Sequence, residues 1–219
     1  MQHKKGFIFD LDGVIVDTAK YHFLAWQKLA AGIGISFTEK ENEQLKGVSR
    51  VRSLEKILEW GNTTLSEERF QELMDSKNTD YLSHIDTMSE TEILPDVERV
   101  LRFLEDNEQP MALGSASKNA RTILQKVKLI HRFQTIVDGT DVSKAKPNPE
   151  VFLKAAERLD IAPMDCIVFE DSVAGIEAAN TAGMVSIGIG DPSVLNTADH
   201  VFSDFTQMNN EFLNKLIQQ

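Results

Sequence analysis

Phe7-Ile8-Phe9-Asp10-Leu11-Asp12-Gly13-Val14 joins an aromatic, apolar run to two aspartates one residue apart, then a glycine. A strand end is rigid, so carboxylates carried there are held still enough to do chemistry. The glycine lets the backbone turn away with no side chain in its path. Carboxylates this close repel each other, which favours a bound divalent cation or one unusual protonation state. An acidic turn after a strand is common on its own, so the pair gains its weight from matching clusters further along the chain. Met111-Ala112-Leu113-Gly114 ends in Ser115 and leads to Ser117-Lys118-Asn119. Lys146 stands just before Pro147-Asn148-Pro149, and Cys166-Ile167-Val168-Phe169 ends on Glu170-Asp171. Polar clusters at the ends of successive elements are a pattern that chance rarely produces.

The elements that must carry these clusters alternate. Strand-like runs at 6–10, 110–114, 134–138, 166–170 and 185–189 are separated by helical patterns. Such alternation predicts an α/β fold, a doubly wound, Rossmann-like parallel sheet with helices on both faces. Val97, Val100, Leu101 and Leu104 fall at helical spacing and form one apolar stripe. Asn148 reads as a helix N-cap with Pro149 at the first helical position. Gly183 stands just past a helix expected over 172–182, where a left-handed cap needs glycine. A last helix is expected over 211–217. Nearly a hundred residues separate the first strand from the second, far more than a crossover helix needs. Residues 17–90 carry helical patterns without a convincing strand, so an inserted helical cap is expected there. The core would then comprise 1–16 and 91–219, with hinges near Val16-Asp17-Thr18 and from Asp86 to Thr91. In an open parallel sheet the ligand site lies beyond the carboxyl ends of the strands, where strand order reverses. With the first strand central, Asp10 and Asp171 fall near that point on adjacent strands.

Bulk properties narrow the partners. The 219 residues carry a formal charge of −11, which argues against nucleic acid because a phosphate backbone requires a basic face. A phosphorylated small molecule is compatible, since a few local cations override the global sign. The hydrophobic fraction of 42% is ample for a globular core, and no apolar run reaches membrane-spanning length. Met1 to Lys5 leads straight into a strand, too short for the apolar stretch of a secretory signal. The single cysteine, Cys166, excludes an internal disulfide and fits a reducing cytoplasm. In an apolar strand it reads as a buried thiol rather than a nucleophile.

With this order and chemistry, the chain resembles the haloacid dehalogenase-like superfamily of phosphotransferases over nearly its whole length. The resemblance implies Asp10 as a nucleophile that forms an aspartyl phosphate, splitting one difficult transfer into two easier ones. Asp12 would be the general acid and base at the sugar oxygen. Ser115 and Lys146 would hold the transferring phosphoryl group, whose chemistry demands positioning and charge neutralisation. Lys146, preceding proline, is expected to be extended. The implied metal is Mg2+, whose hard, octahedral preference suits carboxylates, a carbonyl, waters and a phosphate oxygen. Its ligands would be the Asp10 side chain, the Asp12 backbone carbonyl, Asp171, and Glu170 directly or through water. An acidic pair at a helix N-terminus is the bland alternative for Glu170-Asp171.

Within that superfamily, Tyr21-His22-Phe23-Leu24-Ala25-Trp26 and Leu45-Lys46-Gly47-Val48-Ser49-Arg50 resemble the hexose-phosphate mutases. Thr18, His22 and Trp26 recur every four residues and so share a helix face beside the hinge. Ordinary packing is the alternative for that face. The motif Lys46-Gly47-Val48-Ser49-Arg50 is the more specific part. Its glycine permits close backbone approach, and its arginine offers a bidentate fork for a second, non-transferring phosphate. A mutase needs that second phosphate site and a simple phosphatase does not. The resemblance adds Ser53 and Lys77 from the cap, and Ser115, Ala116, Ser117, Lys118 and Asn119 from the core, as substrate contacts. The expected reaction interconverts β-D-glucose 1-phosphate and β-D-glucose 6-phosphate through β-D-glucose 1,6-bisphosphate, in a cytoplasmic monomer. A magnesium-dependent sugar-phosphate phosphatase on the same scaffold is the nearest rival. A binding-only protein would be expected to have lost Asp10 or Asp12, and a dehalogenase has no use for Asp12 or the acidic pair. The segments 61–64 and 138–145 carry little signal.

Overall fold

A computed structural model describes residues 4–218. The reading of Met1 to Lys5 falls partly on Met1–His3, outside the described residues. The apolar runs form the parallel strands β1 (Gly6–Phe9), β2 (Met111–Gly114), β3 (Thr135–Val137), β4 (Cys166–Glu170) and β5 (Val185–Ile189). A sixth strand, β6 (His200–Phe202), was not expected from sequence, being three residues long and opening on an exposed histidine. The sheet order is β3-β2-β1-β4-β5-β6, so β1 is central and the order reverses between β1 and β4. Three strands are shorter than expected, β3 by a residue at each end and β1 and β2 by one residue each. Asp10 lies just past β1, and Pro110, which has no N–H to give the ladder, only accepts the Phe7 N–H at 2.9 Å.

Period-two alternation gives the sheet two apolar faces. Phe7, Phe9, Leu113, Ile167 and Phe169 pack on one side with α5 (Val97–Asp106), α6 (Ala120–Lys126) and α9 (Asn210–Gln218). Ile8, Ala112, Cys166 and Val168 pack on the other with α7 (Glu150–Leu159) and α8 (Val173–Thr181). The helical stripe Val97, Val100, Leu101 and Leu104 is buried against the first face. Helix α7 begins one residue later than expected, yet the Asn148 side chain still accepts the Glu150 N–H at 3.1 Å. Gly183 follows α8 with a φ of +73°, the left-handed cap that its position calls for.

Between β1 and β2 lie α1 (Ala19–Gly32), α2 (Glu39–Glu43), α3 (Arg50–Trp60) and α4 (Glu67–Ile85). They enclose a separate apolar cluster that includes Trp26, Leu29, Leu54, Ile57, Leu73 and Met74. The two passages joining this helical unit to the sheet run side by side. Asp17 N–H donates to Glu92 C=O and Leu94 N–H to Ile15 C=O, both at 3.0 Å. No helix among the described residues is long and apolar enough to cross a membrane.

Candidate active site

Parallel register brings the sequence-predicted clusters to one edge of the sheet. Phe9 pairs with Leu113 and with Phe169, so Asp10, Gly114 and Glu170 emerge level. The Asp10 N–H still bonds Phe169 C=O at 2.9 Å, which fixes the root of its side chain. Lys146 arrives from the far side of β3 on a turn closed by Asn148 N–H to Ala145 C=O at 3.0 Å, with a cis Lys146–Pro147 peptide. Its Nζ lies 2.6 Å from Asp10 Oδ1 and 3.2 Å from Glu170 Oε1, above the Phe152 ring at 4.7 Å. Burial works against the charged ammonium, but Asp10 and Glu170 outweigh it, raise its pKa and hold it charged. Ser115, buried beside them, accepts the Ser117 N–H at 3.1 Å and keeps its own proton to donate.

Carboxylate oxygens of Asp10, Glu170 and Asp171 lie within 4.8 Å of one another. Two glycines make that crowding feasible. A Cβ on Gly13, whose φ is +78°, would stand 2.2 Å from Asp171 Oδ2, and one on Gly175 would stand 1.6 Å from Glu170 Oε1. Glu170 also accepts the Ser172 hydroxyl at 2.8 Å and the Asp171 N–H at 3.0 Å. Burial pushes the pKa of Glu170 and Asp171 up, with neighbouring carboxylates adding to the shift. A divalent cation relieves this kind of repulsion, and a hard, all-oxygen donor set fits one. The Asp12 carboxylate stands apart from that group.

Asp12 instead accepts a hydrogen bond from Thr18 Oγ1, with His22 Nε2 at 3.9 Å. Burial, reinforced by the Asp10 charge, lifts its pKa to about 6. His22 Nδ1 is 3.1 Å from Lys77 Nζ, and the Lys77 ammonium lies 4.7 Å from the Trp26 ring and 4.6 Å from that of Tyr81. Burial, then Arg50, lowers the Lys77 pKa to about 7. Burial also keeps His22 neutral by pushing its pKa well down, with Lys77 and Arg50 contributing. Sequence reasoning missed Tyr81, although its place four residues after Lys77 on α4 was a usable signal.

From the helical unit, the loop before α3 faces this edge. Gly47 has a φ of +70°, and a Cβ there would come 2.4 Å from Ser172 Oγ. Lys46 Nζ lies 3.6 Å from Asp171 Oδ2 and 2.9 Å from Glu43. Ser49 caps α3 by accepting the Arg52 N–H at 3.3 Å, and Ser53 Oγ donates to Ser49 C=O at 3.0 Å. Arg50 makes no ion pair among the described residues. A cavity of about 390 Å³ collects Asp10, Asp12, His22, Trp26, Lys46–Arg50, Ser53, Lys77, Ser115–Asn119, Lys146 and Asp171. Thr18 and Glu170 sit behind its wall, fully buried. Asn42, Met74, Gly139, Val142–Ala145 and Val151 also line it and were not anticipated, since no motif or spacing singled them out. Lys46, Arg50, Lys77, Lys118, Lys144 and Lys146 make this space cationic in an acidic chain. The arrangement can bind phosphate, offer a carboxylate nucleophile and move a proton.

Residues 4–183 match the model of the haloacid dehalogenase-like hydrolase family, and the chain belongs to it. Within that family it is 43% identical to the beta-phosphoglucomutase of Bacillus subtilis, over 98% of this chain and 96% of the relative. It is similar to a crystal structure of beta-phosphoglucomutase from Clostridium difficile, with a TM-score of 0.94 and 41% identity, covering 98% of this chain and 97% of that one. It is also 31% identical to a phosphorylated carbohydrates phosphatase of Thermotoga maritima, over 82% of each chain.

Proposed function

We propose that the protein is a β-phosphoglucomutase, interconverting β-D-glucose 1-phosphate and β-D-glucose 6-phosphate through β-D-glucose 1,6-bisphosphate. The observation that carries this reading is Arg50. Its guanidinium, without an ion pair among the described residues, lies on the helical side of a cavity whose sheet side already supplies Asp10, Ser115 and Lys146 for one phosphate. A second phosphate has use for it, and a molecule phosphorylated at both ends supplies one. The 43% identity to a beta-phosphoglucomutase over nearly the full length supports the same reading.

Asp10 attacks phosphorus, the bond from phosphorus to the sugar oxygen breaks, and Asp12 delivers the proton that oxygen needs. In the reverse sense Asp12 takes the proton of the accepting hydroxyl while phosphorus leaves Asp10. Lys146 and Ser115 hold the equatorial oxygens in flight. Mg2+, when bound by Asp10, Glu170, Asp171 and the Asp12 carbonyl, supplies charge neutralisation and alignment. Residues 17–90 act as a cap over a core of 1–16 and 91–219, excluding water from the aspartyl phosphate. His22, Trp26, Ser53, Lys77 and the loops Lys46–Arg50 and Ser115–Asn119 line the sugar, while Thr18, behind the wall, holds Asp12 by its hydroxyl. One chain carries the whole cavity, so a monomer suffices, and a reducing cytoplasm keeps Cys166 as a thiol.

The similarity to a phosphatase makes hydrolysis the second reading. The test supplies β-glucose 1-phosphate, magnesium and trace bisphosphate, and measures glucose 6-phosphate against free phosphate. Glucose 6-phosphate is expected as the main product. Free phosphate alone would make the protein a phosphatase.

A further inference from the structure

Apart from Thr18 and His22 on Asp12, two polar side-chain contacts beside the cavity join the helical unit to the core among the described residues. One is Lys46 to Asp171 at 3.6 Å, and the other is Asn119 Nδ2 donating to Asn78 Oδ1 at 3.0 Å. The first uses a carboxylate of the acidic cluster, so a cation bound there competes with it. The second joins neutral amides and is insensitive to the charge of metal or phosphate. Asn78 follows Lys77 on α4, while Asn119 ends the core loop that begins at Ser115. That loop is shaped by Ser117 N–H to Ser115 Oγ at 3.1 Å and Asn119 N–H to Ser117 Oγ at 3.2 Å. Asn78 itself lies outside the cavity lining, whereas Asn119 is part of it.

We propose that Asn78 is a positioning residue that pins the Ser115–Asn119 loop to α4 and so directs the aspartyl phosphate toward sugar rather than water. The proposal rests on the mutase reading. In transfer, a sugar hydroxyl oxygen bonds phosphorus, the bond to Asp10 breaks, and the hydroxyl proton goes to Asp12. In hydrolysis, water replaces the hydroxyl, its proton goes to Asp12, and orthophosphate leaves. Both routes use the same Asp10 and Asp12, so the seal between cap and core decides between them. One net hydrogen bond shifts an open–closed equilibrium by roughly twofold to tenfold.

The test compares the parent protein with Asn78→Leu, which removes the acceptor at similar volume, and Asn78→Asp, which keeps an oxygen for the Asn119 N–H. Products from β-glucose 1-phosphate are measured at saturating magnesium. Asn78→Leu is expected to raise free phosphate released per glucose 6-phosphate formed by about threefold to tenfold. Asn78→Asp is expected to stay within about twofold of the parent. A ratio taken from the active molecules is not moved by a misfolded fraction. An unchanged ratio in Asn78→Leu, or an equal rise in both variants, overturns the proposal. A parent protein that forms no glucose 6-phosphate overturns the mutase reading instead. The pin is then read by small-angle scattering of parent and Asn78→Leu with glucose 6-phosphate present. A larger radius of gyration in Asn78→Leu supports it, and equal radii overturn it.

Discussion

At the scale of residues, the site works by placing charges where water cannot screen them, and Lys77 shows the cost most clearly. Its side chain is buried between Trp26 and Tyr81, with neutral His22 at 3.1 Å. Burial, with Arg50 adding, brings its pKa from 10.5 to about 7. Below pH 7 the ammonium is charged in both folded and unfolded chains, so the folded protein bears the full cost of burying it. Between pH 7 and 10.5 the unfolded chain binds more protons, and stability rises with pH. Lys77→Met should therefore stabilise the protein most near pH 6, with the gain shrinking steadily toward pH 10. Thermal unfolding of the parent and the variant across that range checks it. A gain independent of pH would mean that packing alone is responsible. Asp12 is tuned in the opposite sense, lifted to about 6 by burial and Asp10, near the range useful to a group that both gives and takes a proton. Replacing it with alanine should reduce turnover by roughly 10²–10⁴-fold while sugar-phosphate affinity stays nearly level. Steady-state kinetics separate the two effects.

At the scale of elements, glycines let the sheet edge and the helices approach. Helix α8 begins beside Glu170, and Gly175 in its first turn leaves room where a Cβ would lie 1.6 Å from Glu170 Oε1. Gly175→Ala should push that carboxylate out of the acidic cluster. The expected outcome is a magnesium requirement raised about tenfold or more, one lost charged contact being worth about 1.5–3 kcal/mol. Titrating activity with magnesium measures it, and near-native circular dichroism shows that the fold survives. This placement was partly legible in the sequence. β1, β2, β4 and β5 announce themselves because each is a near-continuous apolar run, as strands buried on both faces must be. The clusters at their ends were legible because carboxylates, a hydroxyl and a lysine are rare company there. β6 was not, because three residues with an exposed histidine carry no periodicity. Gly139 and Val142–Ala145 were not either. What brings them to the cavity is the path of loops, which no local spacing encodes. Tyr81 was overlooked although its spacing from Lys77 was readable.

At the scale of the whole molecule, the cavity lies where the helical unit α1–α4 meets the sheet edge, so its chemistry depends on how closely the two approach. Gly47 stands at one close approach. Its φ of +70° and the 2.4 Å that would separate its Cβ from Ser172 Oγ leave no room for a side chain. Ser172 is not free to retreat, since its hydroxyl donates to Glu170 at 2.8 Å and accepts the Gly175 N–H at 3.1 Å. Gly47→Ala should hold the cap off the core. Mutase flux should then fall by about tenfold or more, the backbone strain alone costing about 1 kcal/mol or more. Phosphorylation of Asp10 by a small donor such as acetyl phosphate needs no sealed cap and should survive. Strain at Gly47 and collision with Ser172 predict different rescues. Adding Ser172→Ala removes the nearest atom and leaves the next, the Ser172 Cβ, at 3.2 Å, a contact that a small shift accommodates. Partial recovery of flux in the double variant would assign the loss to collision across the cleft. No recovery beyond that of Ser172→Ala alone would assign it to the backbone of the Gly47 loop, and closure would not be limited at this point.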